Sequence, residues 1–447
     1  MFSFSLDKIG NDFMKLLLIG NGFDLAHGLP TSYKDFLEFC KIVKWIYSPI
    51  EHDFLRDFSR EDIDGWDTNS DIKKIVLDAF EKRIVRKRND NDKNADYIET
   101  PNNALNELYL HIKENTWLEY FEEESIKLGN NWIDFESEIS KVIQALDSGR
   151  YQIENGGSVT NVEGDCDKKI VSLLKASKKN LKAVTTIDGM DDFVVFLNGE
   201  LERLIRSLEI YISEFINKIH ITHKCEDIEN LSVDSILSFN YSNTYQRVYD
   251  NESSLQYDYI HGKANISKNV ETCDLVLGID EYLDEEWKNS RLEFLSFKKY
   301  YQRIYKTTEN KYLKWIDEIK DDYFDYQEKK NNAYETTIQS IKDGSLGNYP
   351  FQKTVCSELL NVECKEHELY VFGHSLDVSD RDILRLFICN DNVQTKIFYY
   401  RKTQDDKTSL GKIIKNLIKI IGQDELIRRT GGLHKTIEFI PQSLNKE

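Results

Sequence analysis

Residues Lys15–Phe36 read KLLLIGNGFDLAHGLPTSYKDF, and the fold class follows from this stretch. Leu16 to Ile19 form an apolar run too short for a helix and halted by glycine, which marks a strand buried on both faces. Gly20-Asn21-Gly22 then reads as a tight turn, where backbone can approach a ligand without Cβ atoms in the way. After Gly28, Pro30 and Thr31, Ser32 is placed to N-cap a helix starting near Tyr33, with Tyr33, Phe36, Leu37 and Cys40 at helical spacing. Strand, glycine turn and helix together make a phosphate-binding arrangement, because unpaired amides face an anion. The spacing is not G-x-G-x-x-G, since Leu25 stands where the third glycine would be, and a tight turn feeding a crossover helix accounts for the same residues.

With 447 residues the chain can bury a large core, as one elaborate domain or two to three smaller ones. Five prolines in the whole sequence argue against long disordered linkers. A formal charge of −19 disfavours non-specific binding to nucleic acid or an anionic membrane surface. No apolar run approaches the roughly 20 residues that span a bilayer. The early segment MFSFSLDKIGNDFMKLLLIG has no A-x-A-like cleavage site, so its apolar run is expected to be the first strand and not a signal peptide. Cys40, Cys166, Cys225, Cys273, Cys356, Cys364 and Cys389 are odd in number and contain no C-x-x-C pair, which predicts reduced thiols and a cytoplasmic protein.

From Phe36 to about Ile228 the pattern is mostly helical, with Ile75–Ile84, Ala104–Leu118, Asn130–Leu146 and Leu197–Ile219 as amphipathic segments. The charged run Arg86–Asn94 and the polar Asn155–Asp167 read as loops. Short strands are expected at Ser235–Phe239, Tyr257–Ile260, Asp274–Gly278, Glu368–Phe372, Lys396–Tyr400 and Thr436–Ile440, with helices at Thr244–Tyr249, Asp380–Cys389 and Ile413–Ile421. Glu281–Asp343 returns to charged and aromatic helical patterning. Its Tyr300, Tyr301, Tyr312, Trp315, Tyr323 and Tyr326 are read as packing helices together.

Strands alternating with helices imply an α/β fold with a parallel, Rossmann-like sheet and large helical insertions. The expected division is a discontinuous sheet domain over 14–48, 230–282 and 350–447, a helical lobe over 49–229 and a second insertion over 283–349. In a parallel sheet the carboxyl ends of the strands share one edge, where ligands bind. Four such ends offer chemistry: Gly20, Asn21 and Gly22 with Asp24 and His27; Asn240; His261; and Gly373, His374 and Ser375 with Asp377. Asparagine can hold water or a ribose hydroxyl, and histidine can move a proton near neutral pH. Each also has a structural alternative, Asn240 as a helix cap and His261 as a hydrogen-bonded strand end.

GNGFDLAHGLPTSYKDFL, SFNYSNTY followed by IHGKAN, and FGHSLDVSDRDIL resemble the signature blocks of the AbiH family of bacterial abortive-infection proteins, as does WIDFESEI. The same blocks resemble a divergent sirtuin-type NAD-binding fold. That resemblance implies Gly20-Asn21-Gly22 over a pyrophosphate, and Asn240 and His261 as the residues that hydrolyse NAD at the nicotinamide–ribose bond. It further implies Ser375 near the adenosine, NAD as substrate with no metal, and a phage-derived trigger. The deacetylase zinc cysteines are absent, which argues against protein deacetylation, and the bulky, acidic Asn21-Gly22-Phe23-Asp24 departs from the usual turn.

Other readings stay open at this level. A non-catalytic nucleotide sensor would use the same pocket and relay its occupancy to a partner. An esterase could be built on Gly373-His374-Ser375-Leu376-Asp377 with His434 downstream, although its elbow pattern wants glycine where Asp377 stands. A metal nuclease would need an acidic set that no strand end displays, and His220 and His223 are read as helix surface. Homo-oligomerisation is not decided by the sequence.

Overall fold

The structure is a computed structural model that describes residues 13–47, 59–86, 97–128, 133–159, 166–250, 252–284, 286–344 and 362–444. Six parallel strands form its centre: β1 (Lys15–Ile19), β4 (Ser235–Ser238), β5 (Gln256–Tyr259), β6 (His367–Phe372), β7 (Val393–Tyr399) and β8 (Ile437–Pro441). A separate antiparallel pair, β2 (Ile84–Arg86) and β3 (Tyr97–Glu99), flanks the stretch read as a charged loop, most of which lies outside the described residues. The order across the large sheet is β5-β4-β1-β6-β7-β8. Numbered by chain position within that sheet it is 3-2-1-4-5-6, the order of the doubly wound dinucleotide-binding fold. The chain reverses direction of winding between β1 and β6, and such folds bind ligands at that switch.

β1 is the axis because it is apolar on both faces. Leu16 and Leu18 pack with Leu237, Leu369 and Val371, and with Ile383, Leu384 and Phe387 of a later helix. Leu17 and Ile19 point the other way, onto Phe23, Ile236, Tyr370 and Phe372. This period-two split is what a strand with helices on both sides requires.

The helices carry a second core. α2 (Tyr33–Tyr47) opens with a reciprocal cap, the Ser32 amide donating to Asp35 Oδ2 at 3.0 Å and the Asp35 amide to Ser32 Oγ at 3.2 Å. Phe36, Phe39, Cys40 and Val43 join α2 to the helical lobe, although sequence reasoning placed this helix with the sheet. α7 (Phe135–Glu154) is capped by the Asp134 carboxylate; it starts later than Asn130, and 130–132 lie outside the described residues. Phe135 is stacked between Tyr33 at 4.2 Å and Phe121 at 4.1 Å, so the start of α7 is clamped. The expected Ala104–Leu118 helix is two, α5 (Asn103–Ile112) and α6 (Thr116–Leu128), because Glu114 turns the chain at φ +56° and the Asn115 side chain accepts from the Leu118 amide. A helix at Cys166–Ala176 starts two residues inside the expected loop Asn155–Asp167, and one at Gln423–Thr430 was not expected.

Asp274–Gly278 is not a strand. Its backbone bonds go elsewhere: the Val276 amide to the His261 carbonyl, the Val276 carbonyl to the Tyr241 hydroxyl, and both Leu277 groups to the Gln302 carboxamide. Leu275, Leu277 and Ile279 therefore fill the helical core from extended chain with no ladder. The next helices are α12 (Lys299–Tyr305) and α13 (Lys311–Lys342). Of the aromatics read as helix packing there, Trp315 is in the core, whereas Tyr300 is exposed and Tyr312 only partly buried. α14 (Arg381–Ile388) and α15 (Thr408–Ile421) cover one face of the sheet.

Candidate functional site

Paired strands β4 and β5 end in register at Ser238 and Tyr259, and Asn240 and His261 each stand two residues beyond. β1 and β6 end likewise at Ile19 and Phe372, leading into Gly20 and Gly373. The topology thus brings all four strand ends to one edge.

The glycines are there for close contact between two segments of the chain. A Cβ on Gly22 would lie 2.8 Å from Gly373 Cα, and one on Gly373, at φ +69°, 2.1 Å from the Phe23 nitrogen. The Gly20 amide donates to the Phe372 carbonyl and the Gly22 amide to the Gly373 carbonyl. Gly20-Asn21-Gly22 is therefore no open turn. Asn21 begins a short helix, α1 (Asn21–Ala26), locked to the end of β6, and two of the amides expected to meet a pyrophosphate are engaged.

His27 is elsewhere in purpose. Its Nδ1 donates to the Phe23 carbonyl at 2.7 Å and its Nε2 accepts from the Tyr249 hydroxyl at 2.8 Å, which fastens α1 to the sheet's far side. Asp377 accepts from the Ser379 amide and caps the turn Val378–Asp380. Ser375 is exposed, and the helix that follows begins only at Arg381, so the sharp strand–serine–helix elbow of an esterase is not formed. His220 and His223 lie in a non-helical loop. No three histidine, cysteine or acidic residues among the described ones are placed to hold a metal ion.

The chemical centre is the Asp380 carboxylate, which sequence reasoning did not single out. Its Oδ1 lies 3.0 Å from His261 Nε2 and 3.1 Å from Lys299 Nζ, and its Oδ2 lies 3.5 Å from His374 Nε2. Lys299 also meets Ser379 Oγ at 3.0 Å and Glu136 Oε2 at 2.8 Å. Burial alone would raise Asp380, but Lys299 and His261 outweigh it and hold the carboxyl well below its usual range. Burial would lower Lys299, and Asp380 with Glu136 raise it instead. An ionised Asp380 fixes the proton of His261 on Nε2, leaving Nδ1 as an acceptor. That Nδ1 is buried and has no hydrogen-bond partner among the described residues. Burial, with Lys299 beside it, pushes the ring down to about 4, so it is neutral at pH 7.

His374 also turns Nε2 to Asp380, but its Nδ1 is occupied. The Leu376 amide donates to its Nδ1 at 2.9 Å, from a backbone at φ +52° that a leucine rarely adopts. The Phe239 ring separates the two imidazoles, 5.4 Å from His261 and 4.5 Å from His374 by ring centres.

Asp24, 2 % exposed, accepts from the Ser242 hydroxyl at 2.7 Å through Oδ2. Its Oδ1 is buried without a partner, as is Asn240 Nδ2 beside it; the two groups are neighbours but make no hydrogen bond of good geometry. Burial pushes Asp24 up to about 6, against the pull of Ser242 and Thr244. The site is closed. Asn240, His261, Asp380 and Lys299 are each buried, and two cavities lie away from them. One of about 410 Å³ sits at the amino edge of the sheet, beside Asp234, Trp315 and His367; the other, of about 420 Å³, lies beside Asp78 and Asn102.

Sequence reasoning found Asn240, His261, His374 and Asp24, and the structure gathers them around the same edge. It missed Asp380, Lys299 and Glu136. Asp380 and Glu136 stand within quoted motif blocks, FGHSLDVSDRDIL and WIDFESEI; Lys299 had no such signal.

No helix of the described residues is long and apolar enough to cross a membrane. No curated protein and no solved structure matches the chain. The profile of one family, described as "Bacteriophage abortive infection AbiH", matches residues 16–400, a span that takes in β1, both insertions and every residue of the Asp380 cluster. The chain belongs to the AbiH family of bacteriophage abortive-infection proteins.

Proposed function

We propose that this protein acts against phage by cleaving the nicotinamide–ribose bond of NAD at the carboxyl edge of its sheet. The observation that carries the reading is the His261–Asp380 pair: a neutral imidazole, fixed by a carboxylate, with its second nitrogen buried and unpartnered. The pairing resembles the histidine–aspartate element of a catalytic triad with the two ring nitrogens exchanged, Nε2 facing the carboxylate and Nδ1 free. In the reaction the C1′–N bond breaks through an oxocarbenium-like state and its electron pair leaves with neutral nicotinamide. Water adds to C1′, and its proton passes to His261 Nδ1. Asn240 Nδ2 orients the water or a ribose hydroxyl, and Asp24 Oδ1 accepts from another hydroxyl. The strand order, with its switch beside these groups, supports a dinucleotide as the ligand.

Purified protein incubated with NAD, NADP and ATP, alone and with phage lysate, should release nicotinamide from NAD. Chromatography reads this directly. Absence of turnover in every condition would overturn the reading. The buried state of Asn240 and His261 favours a second reading, a sensor whose edge opens on binding nucleotide without cleaving it. Saturable binding with no product would select it.

A further inference from the structure

The Asp380 cluster joins three parts of the chain. His261 and His374 come from strand ends, Asp380 from the turn Val378–Asp380, Lys299 from the first residue of α12, and Glu136 from the first turn of α7. Lys299 and His261 share one oxygen, Asp380 Oδ1, at 3.1 and 3.0 Å. We propose that Lys299, delivered by the second insertion and gripped by Glu136 from the first, is a positioning residue that pins Asp380 against His261 Nε2 and so leaves Nδ1 free to accept. This rests on the reading of His261 as the proton acceptor and assigns the insertions a part in it.

The geometry limits what else Lys299 can do. It is 2 % exposed, and its three nearest polar atoms are those of Ser379, Asp380 and Glu136. The backbone on both sides is fixed, since the Lys299 amide donates to the Ile279 carbonyl at 2.8 Å. The turn that carries Glu136 is held in place, because the adjacent Phe135 is clamped between two rings.

Two cations face the His261 ring, Lys299 and Arg303, and Asp380 is the anion against it; Glu136 and His374 act at one remove, through Lys299 and Asp380. An imidazole bonded to a carboxylate alone would be drawn towards its charged form. Lys299 on the same oxygen cancels that pull, and burial then favours the neutral ring. A neutral ring can take a proton; a charged one cannot.

The test uses the full-length protein labelled with ¹⁵N, and follows the His261 imidazole nitrogens from about pH 4 to 8. In the unaltered protein the ring is expected to be neutral and protonated on Nε2 at pH 7. In Lys299→Met it should become charged at a pH higher by about one unit or more. The double variant Lys299→Met/Glu136→Gln should behave the same way, and it avoids leaving both carboxylates buried without their cation. A charged ring or an Nδ1–H tautomer in the unaltered protein at pH 7 would overturn the proposal, as would an unmoved titration in any folded variant. NAD turnover is read on the same samples. A moved titration with no turnover in any protein removes the cleavage reading and leaves the positioning role standing; turnover with an unmoved titration does the reverse.

Discussion

His261 Nε2 and Asp380 Oδ1 stand 3.0 Å apart although the residues are 119 positions apart in the chain, and both are buried. That contact closes the sheet's carboxyl edge and gives His261 one engaged nitrogen and one idle one.

Replacing His261 by alanine should lower nicotinamide release from NAD by about 10²–10⁴-fold, the usual worth of a positioned base. The fold should survive, since only a closing side chain is lost, and circular dichroism with thermal melting checks this. Full turnover in His261→Ala would remove the ring from the chemistry.

Asp24 gives a pH dependence with a definite sign. Burial raises it from 3.8 to about 6, so the folded state holds the proton more tightly than the unfolded chain does. Its contribution to stability is fully present below about pH 3.8 and is lost as pH rises through about 6. A two-unit shift at about 1.4 kcal/mol per unit sets a ceiling of about 3 kcal/mol. Asp24→Asn should therefore be more stable than the natural protein at pH 7.5, with the gain shrinking towards pH 4, as read by urea midpoints. Its affinity for NAD should fall.

Gly373→Ala should be much worse for the fold than an ordinary surface change. The new methyl would meet the Phe23 nitrogen at 2.1 Å in a backbone already at φ +69°, so loss of about 3 kcal/mol or more is expected. Gly411→Ala is the control, because nothing lies within 4 Å of its Cβ position and it sits within α15. That variant should be neutral or slightly stabilising, by up to about 1 kcal/mol.

The helical lobe has its own buried ion pair. Arg206 Nη1 lies 2.6 Å from Glu209 Oε2, with both side chains inaccessible, and Arg206 Nη2 lies 2.7 Å from Glu107 Oε1. Arg206→Met leaves Glu209 uncompensated and should cost about 3–5 kcal/mol by denaturant unfolding. Arg206→Met/Glu209→Leu should recover part of that loss.

The sheet was legible because its strands are brief apolar runs stopped by glycine or a polar group, as at Leu16–Ile19 and Leu369–Phe372. Asp274–Gly278 carries the same signature, yet its backbone is satisfied by Gln302, Tyr241 and the His261 carbonyl; periodicity reports burial and cannot name the hydrogen-bond partner. The glycines near residue 20 were read as a turn where backbone meets a ligand. What approaches is residue 373 of the same chain, a fact with no local trace. Lys299 was hidden for a related reason. It stands in a charge-rich segment where most lysines face water, and its partners at 136 and 380 are far away in sequence. The position of Asn240 and His261 at adjoining strand ends was legible because the strand-end rule needs only local patterns.

The centre strand has one neighbour that begins at residue 235 and another that begins at 367. A ribosome must therefore pass residue 372 before the middle of the sheet can be completed. Asp380, which joins His261 to His374, arrives later still. An incomplete translation product, or a nascent chain still being threaded out, lacks that carboxylate. A nascent chain that stops short of residue 380 therefore cannot form the His261–Asp380 contact.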